Sequence, residues 1–101
     1  MDFQFDQTAT GAAVTLCGRL TFAENSAFRR VVDSLRGAGG GAVVFDLGRL
    51  EYIDSAGLGM LLIARDTVAG RGGRAELVNA TGQVGRIIDL ARFHDIFSAA
   101  N

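Results

Sequence analysis

A serine between a predicted strand and a predicted helix is the residue whose type and position best suit chemistry. The strand is the apolar, β-branched segment Ala42–Phe45, which is typical of a strand buried on both faces. An apolar stretch with helical spacing then runs from Ser55 to about Ala69. Ser55 therefore lies at a helix N-terminus, where unpaired N–H groups and partial positive charge favour a phosphate.

Ser55 has two other interpretations. Serine and aspartate both serve as N-cap residues, so Asp54 or Ser55 could satisfy the first amides of the helix. A capping serine would also be exposed, so a cap and a phosphate site are compatible. A catalytic serine in a hydrolase elbow needs glycine two residues before and after it, and Ile53 takes the first of those positions. His94, the one histidine, cannot be assigned as its base, so no enzyme is predicted.

No metal or cofactor is predicted. Asp46 and Asp54 are two carboxylates without further acidic or histidine ligands, which is a weak metal pattern. No cysteine–histidine spacing suggests zinc. The glycine-rich segment Gly37–Gly41 leaves a helix and enters a strand, whereas a nucleotide loop does the reverse. We expect it to be a flexible connection.

Composition narrows the class of protein. The chain has 101 residues, a formal net charge of −1 and no basic run, so nucleic-acid binding has little electrostatic support. No apolar stretch reaches the roughly 18 residues of a membrane span. The acidic, alternating segment Met1–Asp6 differs from a signal peptide, and Cys17 has no partner for an internal disulfide. We expect a cytoplasmic protein.

The elements that position Ser55 follow from periodicity. Alternation predicts strands and the i, i+3, i+4, i+7 spacing predicts helices. The predicted order is β-β-α-β-α-β-α-β, a single α/β domain over residues 1–101 with a mixed β-sheet and right-handed crossovers. The elements are strands at 2–7, 12–18, 41–47 and 74–79, helices at 23–36, 55–69 and 81–91, and a last apolar piece, Phe93–Phe97, as an edge strand.

The outer face of the serine helix is unusual. With Leu61 at the centre of the buried face, Gly59 and Ile63 lie on the opposite side and Met60 flanks the buried stripe. These residues could form a docking surface, with Gly59 allowing close approach and Ile63 and Met60 giving apolar contact. Alternatively, other loops of the same chain could cover this face.

The segment Asp46–Gly59 resembles the signature of STAS domains of the anti-sigma-factor antagonist type. The element order matches that fold across nearly the whole chain. Weaker support comes from three other segments, Gly18–Phe22, Gly82–Val84 and Phe93–Phe97. Three positions depart from the family pattern: Ala56 replaces a common hydroxyl residue, Arg19 a common glutamate and Thr21 a common aspartate.

The resemblance implies a phosphorylation switch at Ser55. In that family the unphosphorylated domain binds an anti-sigma factor, a serine kinase with an ATP-binding kinase fold, and so frees a sigma factor. A PP2C-type phosphatase reverses the phosphorylation. The implied partner-binding residues lie around Ser55, directly before it and along the same helix: Asp54, Ala56, Gly57, Gly59, Met60 and Ile63.

The same fold allows a second function. The domain could be an unregulated scaffold, such as the small subunit of a lipid transporter or of a sensor complex. Ser55 would then only cap the helix.

Overall fold

The computed structural model describes residues 1–37 and 41–97. Within these residues the chain forms four strands and four α-helices, which confirms the α/β class. The strands are β1 (Asp2–Thr8), β2 (Gly11–Leu20), β3 (Ala42–Ile53) and β4 (Arg74–Val78). The helices are α1 (Asn25–Gly37), α2 (Ser55–Ala69), α3 (Gly82–Leu90) and α4 (Phe93–Ile96), and a 3-10 turn, Phe22–Glu24, precedes α1. Part of the predicted connection Gly37–Gly41 lies outside the described residues.

The four strands form one mixed sheet in the order β1-β2-β3-β4. β1 and β2 form a hairpin, in which the two strands pair antiparallel and Phe3 lies opposite Leu16. β2 and β3 run parallel, as do β3 and β4. The crossovers between these parallel strands are α1 and α2, which therefore begin at the same edge of the sheet.

The core lies between one face of the sheet and the helices. The buried face of α1 has the i, i+3, i+4, i+7 spacing that predicted the helix at 23–36, and it consists of Phe28, Val31, Val32 and Leu35. Leu61 and Ala64 of α2 pack into the same cluster as Phe45 of β3. Full burial of one such large apolar side chain stabilises the fold by about 1.5–3 kcal/mol.

β3 is longer than the sequence indicated. The predicted strand ends at Leu47, but β3 continues to Ile53 because its second half still pairs with β2, where Leu20 lies opposite Ile53. Irregular register in this half interrupts the alternation that predicts a strand. As a result Asp54 alone separates the sheet from α2, so the start of the helix is held directly by a strand.

The last apolar piece is a helix rather than the predicted edge strand. Phe93–Ile96 form α4, and the rings of Phe93 and Phe97 stack with centroids 5.5 Å apart. Both rings are buried, and helical spacing brings residues four positions apart onto one face. Arg92, with φ of 57°, makes the turn that separates α4 from α3.

Within the described ranges, no helix combines the length and the apolar character needed to cross a membrane.

Candidate functional site

Asp54 caps α2, and Ser55 is the first residue of the helix. The Oδ1 atom of Asp54 accepts a hydrogen bond from the Gly57 backbone N–H at 2.8 Å. Asp54 has an extended backbone, as an N-cap residue requires. The interpretation of Ser55 as the cap is therefore wrong, because Asp54 already accepts the hydrogen bond from the Gly57 N–H.

Asp54 also joins α2 to the corner between β2 and α1. Its Oδ2 atom accepts a hydrogen bond from the Phe22 N–H at 3.3 Å. Its own backbone N–H donates to the carbonyl of Leu20, also at 3.3 Å. Asp54 was predicted to contact a partner, and the structure shows that its half-buried carboxylate has a structural role.

The side chain of Ser55 is exposed. Its hydroxyl forms no hydrogen bond with any of residues 1–37 and 41–97. Ala56 follows and is half-buried. The arrangement thus places a free hydroxyl at the positive end of a helix, where added negative charge is favoured.

Gly59 and Ile63 continue from Ser55 along one side of α2, at intervals of four residues. We call Ser55, Gly59 and Ile63 the outer stripe. The Cβ of a residue replacing Gly59 would have no neighbour within 4 Å, and the Ile63 side chain is 55% exposed. In the part of the chain that the structure describes, no loop covers Ile63, so the alternative of intramolecular packing over this residue fails.

Gly57 and Met60 face inwards, although the sequence placed them among the partner-binding residues. A Cβ on Gly57 would lie 2.2 Å from the carbonyl oxygen of Leu20, so the helix and β2 are in close backbone contact. Met60 is 5% exposed. The turn of the helix explains both positions, since residues 57, 60, 61, 64 and 68 are its buried set.

A groove runs between α1 and α2, with a volume of about 380 Å³. We call it the α1–α2 groove. Its floor and walls comprise Asn25, Phe28, Arg29, Val32, Asp33 and Arg36 of α1 and Met60 and Ile63 of α2. Met60 therefore reaches this surface only at the floor of the groove, while Ile63 forms part of its rim.

Sequence reasoning missed Gln83. Its side-chain amide donates to the Ile53 carbonyl at 2.9 Å and accepts from the Ile53 N–H at 3.0 Å. Because the pairing of β4 with β3 ends at Asp46, Gln83 takes the place of a neighbouring strand at the end of β3. The sequence feature that could have identified Gln83 is its polar amide among the small and apolar residues at the start of α3.

Phe22 is the second residue that the sequence did not single out. It is 73% exposed, and its backbone is hydrogen-bonded to Asp54, next to Ser55. An aromatic residue in the turn before a helix is the signal that could have identified it.

His94 and Asp46, which were considered for catalysis and metal binding, interact with other residues. His94 Nε2 lies 3.1 Å from Asp89 Oδ1, an exposed pair on α4 and α3. Asp46 Oδ1 accepts from the Gly48 N–H at 2.9 Å and from Asn79 Nδ2 at 3.1 Å. Among the described residues there is no group of three or more His, Cys, Asp or Glu side chains that could hold a metal ion.

A family model described as "Mlab, STAS domain" matches residues 3–98. A STAS-domain containing protein of Pseudomonas aeruginosa is 37% identical over 54 residues, which span 54% of this chain and 54% of that relative.

Several solved structures share the fold. An anti-sigma-factor antagonist (STAS) domain protein from Planctomyces limnophilus is 14% identical, with a TM-score of 0.83 over 98% of this chain and 89% of the other. The Bacillus cell fate determinant SpoIIAA in its phosphorylated form is 20% identical, with a TM-score of 0.71 over 99% of this chain and 92% of the other. At these identities the likeness concerns the fold, which is the one found in anti-sigma-factor antagonists. Because the family model covers almost the whole sequence, this chain belongs to the STAS domain family.

Proposed function

We propose that this protein is a phosphorylation-switched anti-sigma-factor antagonist of the bacterial cytoplasm. In its unphosphorylated form it binds an anti-sigma factor, which is also a serine kinase with an ATP-binding kinase fold, and so frees a sigma factor. The kinase phosphorylates Ser55, and a PP2C-type phosphatase removes the phosphate. The protein itself acts as a binding module.

The observation that carries this proposal is the free hydroxyl of Ser55. Asp54 accepts the hydrogen bond of the helix cap, so the hydroxyl of Ser55 is not needed to cap the helix. A kinase can therefore modify it without dismantling the helix. The shared fold with phosphorylated SpoIIAA supports the same chemistry at the same kind of domain.

The energetics suit a switch in binding rather than in folding. A phosphate adds about −1.5 to −2 charges. The helix N-terminus favours it by about 0.3–1 kcal/mol, while repulsion from the neighbouring Asp54 carboxylate opposes it. Burying the same dianion against Gly59 and Ile63 in an interface without paired cations costs several kcal/mol. Since about 1.4 kcal/mol is tenfold in affinity, a loss of several hundredfold is expected.

Mass spectrometry tests the modification. The protein is incubated with ATP and the serine kinases encoded near its gene, and its intact mass is measured. We expect one added phosphoryl group, which Ser55→Ala abolishes. Ser26→Ala is the matched control, because Ser26 is also exposed in the first turn of a helix, and this variant should still be phosphorylated. An unmodified mass with every kinase would favour the unregulated scaffold instead.

A further inference from the structure

The α1–α2 groove has one apolar side that lacks charge. From Ser55 to Ala64, α2 carries no charged residue, and Ile63 is exposed at the rim. Apolar residues on every side of a helix are typical of a helix that packs on more than one side. Within the described residues α2 packs against α1 and against the sheet, but Ile63 stays exposed, and this apolar rim indicates a contact surface.

The opposite wall of the groove carries cations. Arg29 and Arg36 both line it, and the rise of an α-helix places them about 10 Å apart along α1. Asp33 lies between them and pairs with Arg36 at 3.6 Å, but both side chains are largely exposed, so the pair is weak. Arg29 forms no ion pair with the residues that the structure describes.

We propose that this groove binds an amphipathic helix whose polar edge carries acidic side chains two turns apart. A third helix fits a groove between two parallel helices, at interaxial distances of about 8–10 Å. Its apolar side would contact Ile63 and the floor of the groove. Two carboxylates seven positions apart would match Arg29 and Arg36, since a guanidinium group offers five N–H donors.

The complementary charges would fix the position of the bound helix along the groove and exclude basic helices. The groove and the two arginines that line it are features of the structure and do not depend on the proposed function. That the helix belongs to the protein that phosphorylates Ser55 rests on the proposed function, because the outer stripe and the groove share Ile63.

Designed peptides test the groove. The first probe is a helical peptide of about 18 residues with a leucine–alanine stripe and two glutamates seven positions apart. The second carries lysine at those two positions. Titration is followed by backbone amide NMR signals. We expect the glutamate peptide to shift signals of α1 and α2 around Arg29 and Ile63, and to bind at least tenfold more tightly than the lysine peptide.

Charge reversal in the protein completes the test. The double variant Arg29→Glu, Arg36→Glu should prefer the lysine peptide. Arg30→Glu is the matched control, because Arg30 is exposed on the same helix but does not line the groove, and this variant should keep the original preference.

Three results would overturn the proposal: equal affinity for the two peptides, an unchanged preference in the double variant, or shifts confined to other surfaces. Absence of binding by both peptides would overturn it as well. None of these measurements involves Ser55 or ATP. A failure of the groove therefore leaves the phosphorylation experiment unaffected, and a failure of phosphorylation leaves the peptide result unaffected.

Discussion

The carboxylate of Asp54 accepts a hydrogen bond from the backbone N–H of Phe22, 32 positions earlier in the chain. The other oxygen of the same carboxylate caps α2 through Gly57. One side chain therefore fixes the start of α2 against the exposed corner that carries the Phe22 ring. This link holds the backbone at Ser55 against the corner between β2 and α1.

The first prediction concerns the cap. Asp54→Ala should lower the free energy of unfolding by about 1–2 kcal/mol, because the first turn of α2 loses its acceptor. Ser55→Ala should change it by less than about 0.5 kcal/mol, as expected for an exposed side chain without partners. Urea denaturation measures both. A loss for Ser55→Ala as large as that for Asp54→Ala would show that the serine carries the cap.

The second prediction compares two glycines of α2. Gly57→Ala should destabilise the fold by about 1–3 kcal/mol, because its Cβ would collide with the Leu20 carbonyl. Gly59→Ala is the matched control in the same helix. It has open space around it and should stabilise the helix by up to about 1 kcal/mol. Thermal and urea unfolding measure the change in the free energy of unfolding for each variant. An equal change in the two variants would contradict the packing of α2 on β2.

The third prediction concerns Gln83. Gln83→Met keeps the length of the side chain but removes both hydrogen bonds to Ile53. Each backbone group left unpaired in a partly buried site costs about 1–3 kcal/mol, so we expect a loss of at least about 2 kcal/mol and faster hydrogen exchange at the Ile53 amide. Gln7→Met, at an exposed strand position, is the control. Unchanged exchange at Ile53 would mean that the end of β3 is held by other contacts.

The fourth prediction concerns the outer stripe. Ile63→Ala should weaken binding to the kinase partner by about tenfold, equivalent to about 1.4 kcal/mol, because the exposed side chain would be buried in the interface. The fold should keep its stability, because the side chain is more than half exposed. Leu90→Ala is the matched control, since Leu90 is 80% exposed on α3. Calorimetric titration measures the affinity of both variants. Equal weakening by the two variants would contradict the assignment of the outer stripe as the surface that binds the partner.

Several of these features were accessible from the sequence. The i, i+3, i+4, i+7 spacing of Phe28, Val31, Val32 and Leu35 identified α1 because burial against a sheet imposes that period. The break between an apolar strand and an apolar helix located Ser55 at the start of α2. Both are local properties, which a pattern of neighbouring residues expresses.

Other features depend on contacts between distant residues, on the exact residue at which a helix begins, or on segments too short to show a period. Asp54 and Ser55 are both good cap residues, and a shift of one position in the helix start decides between them. The pair of Gln83 with Ile53 joins residues 30 positions apart, which no local pattern records. The short apolar piece that became α4 suits a strand or a helix equally, since periodicity cannot distinguish them at that length.

The most direct test of the switch is the dissociation constant of the kinase partner for this protein in two states, unphosphorylated and fully phosphorylated at Ser55. Ser55→Ala and Ser55→Asp serve as stable forms of the two states, and circular dichroism verifies that each remains folded. We predict that phosphorylation weakens binding by at least about a hundredfold, equivalent to about 2.7 kcal/mol. Equal dissociation constants for the two states would contradict a switch at this serine.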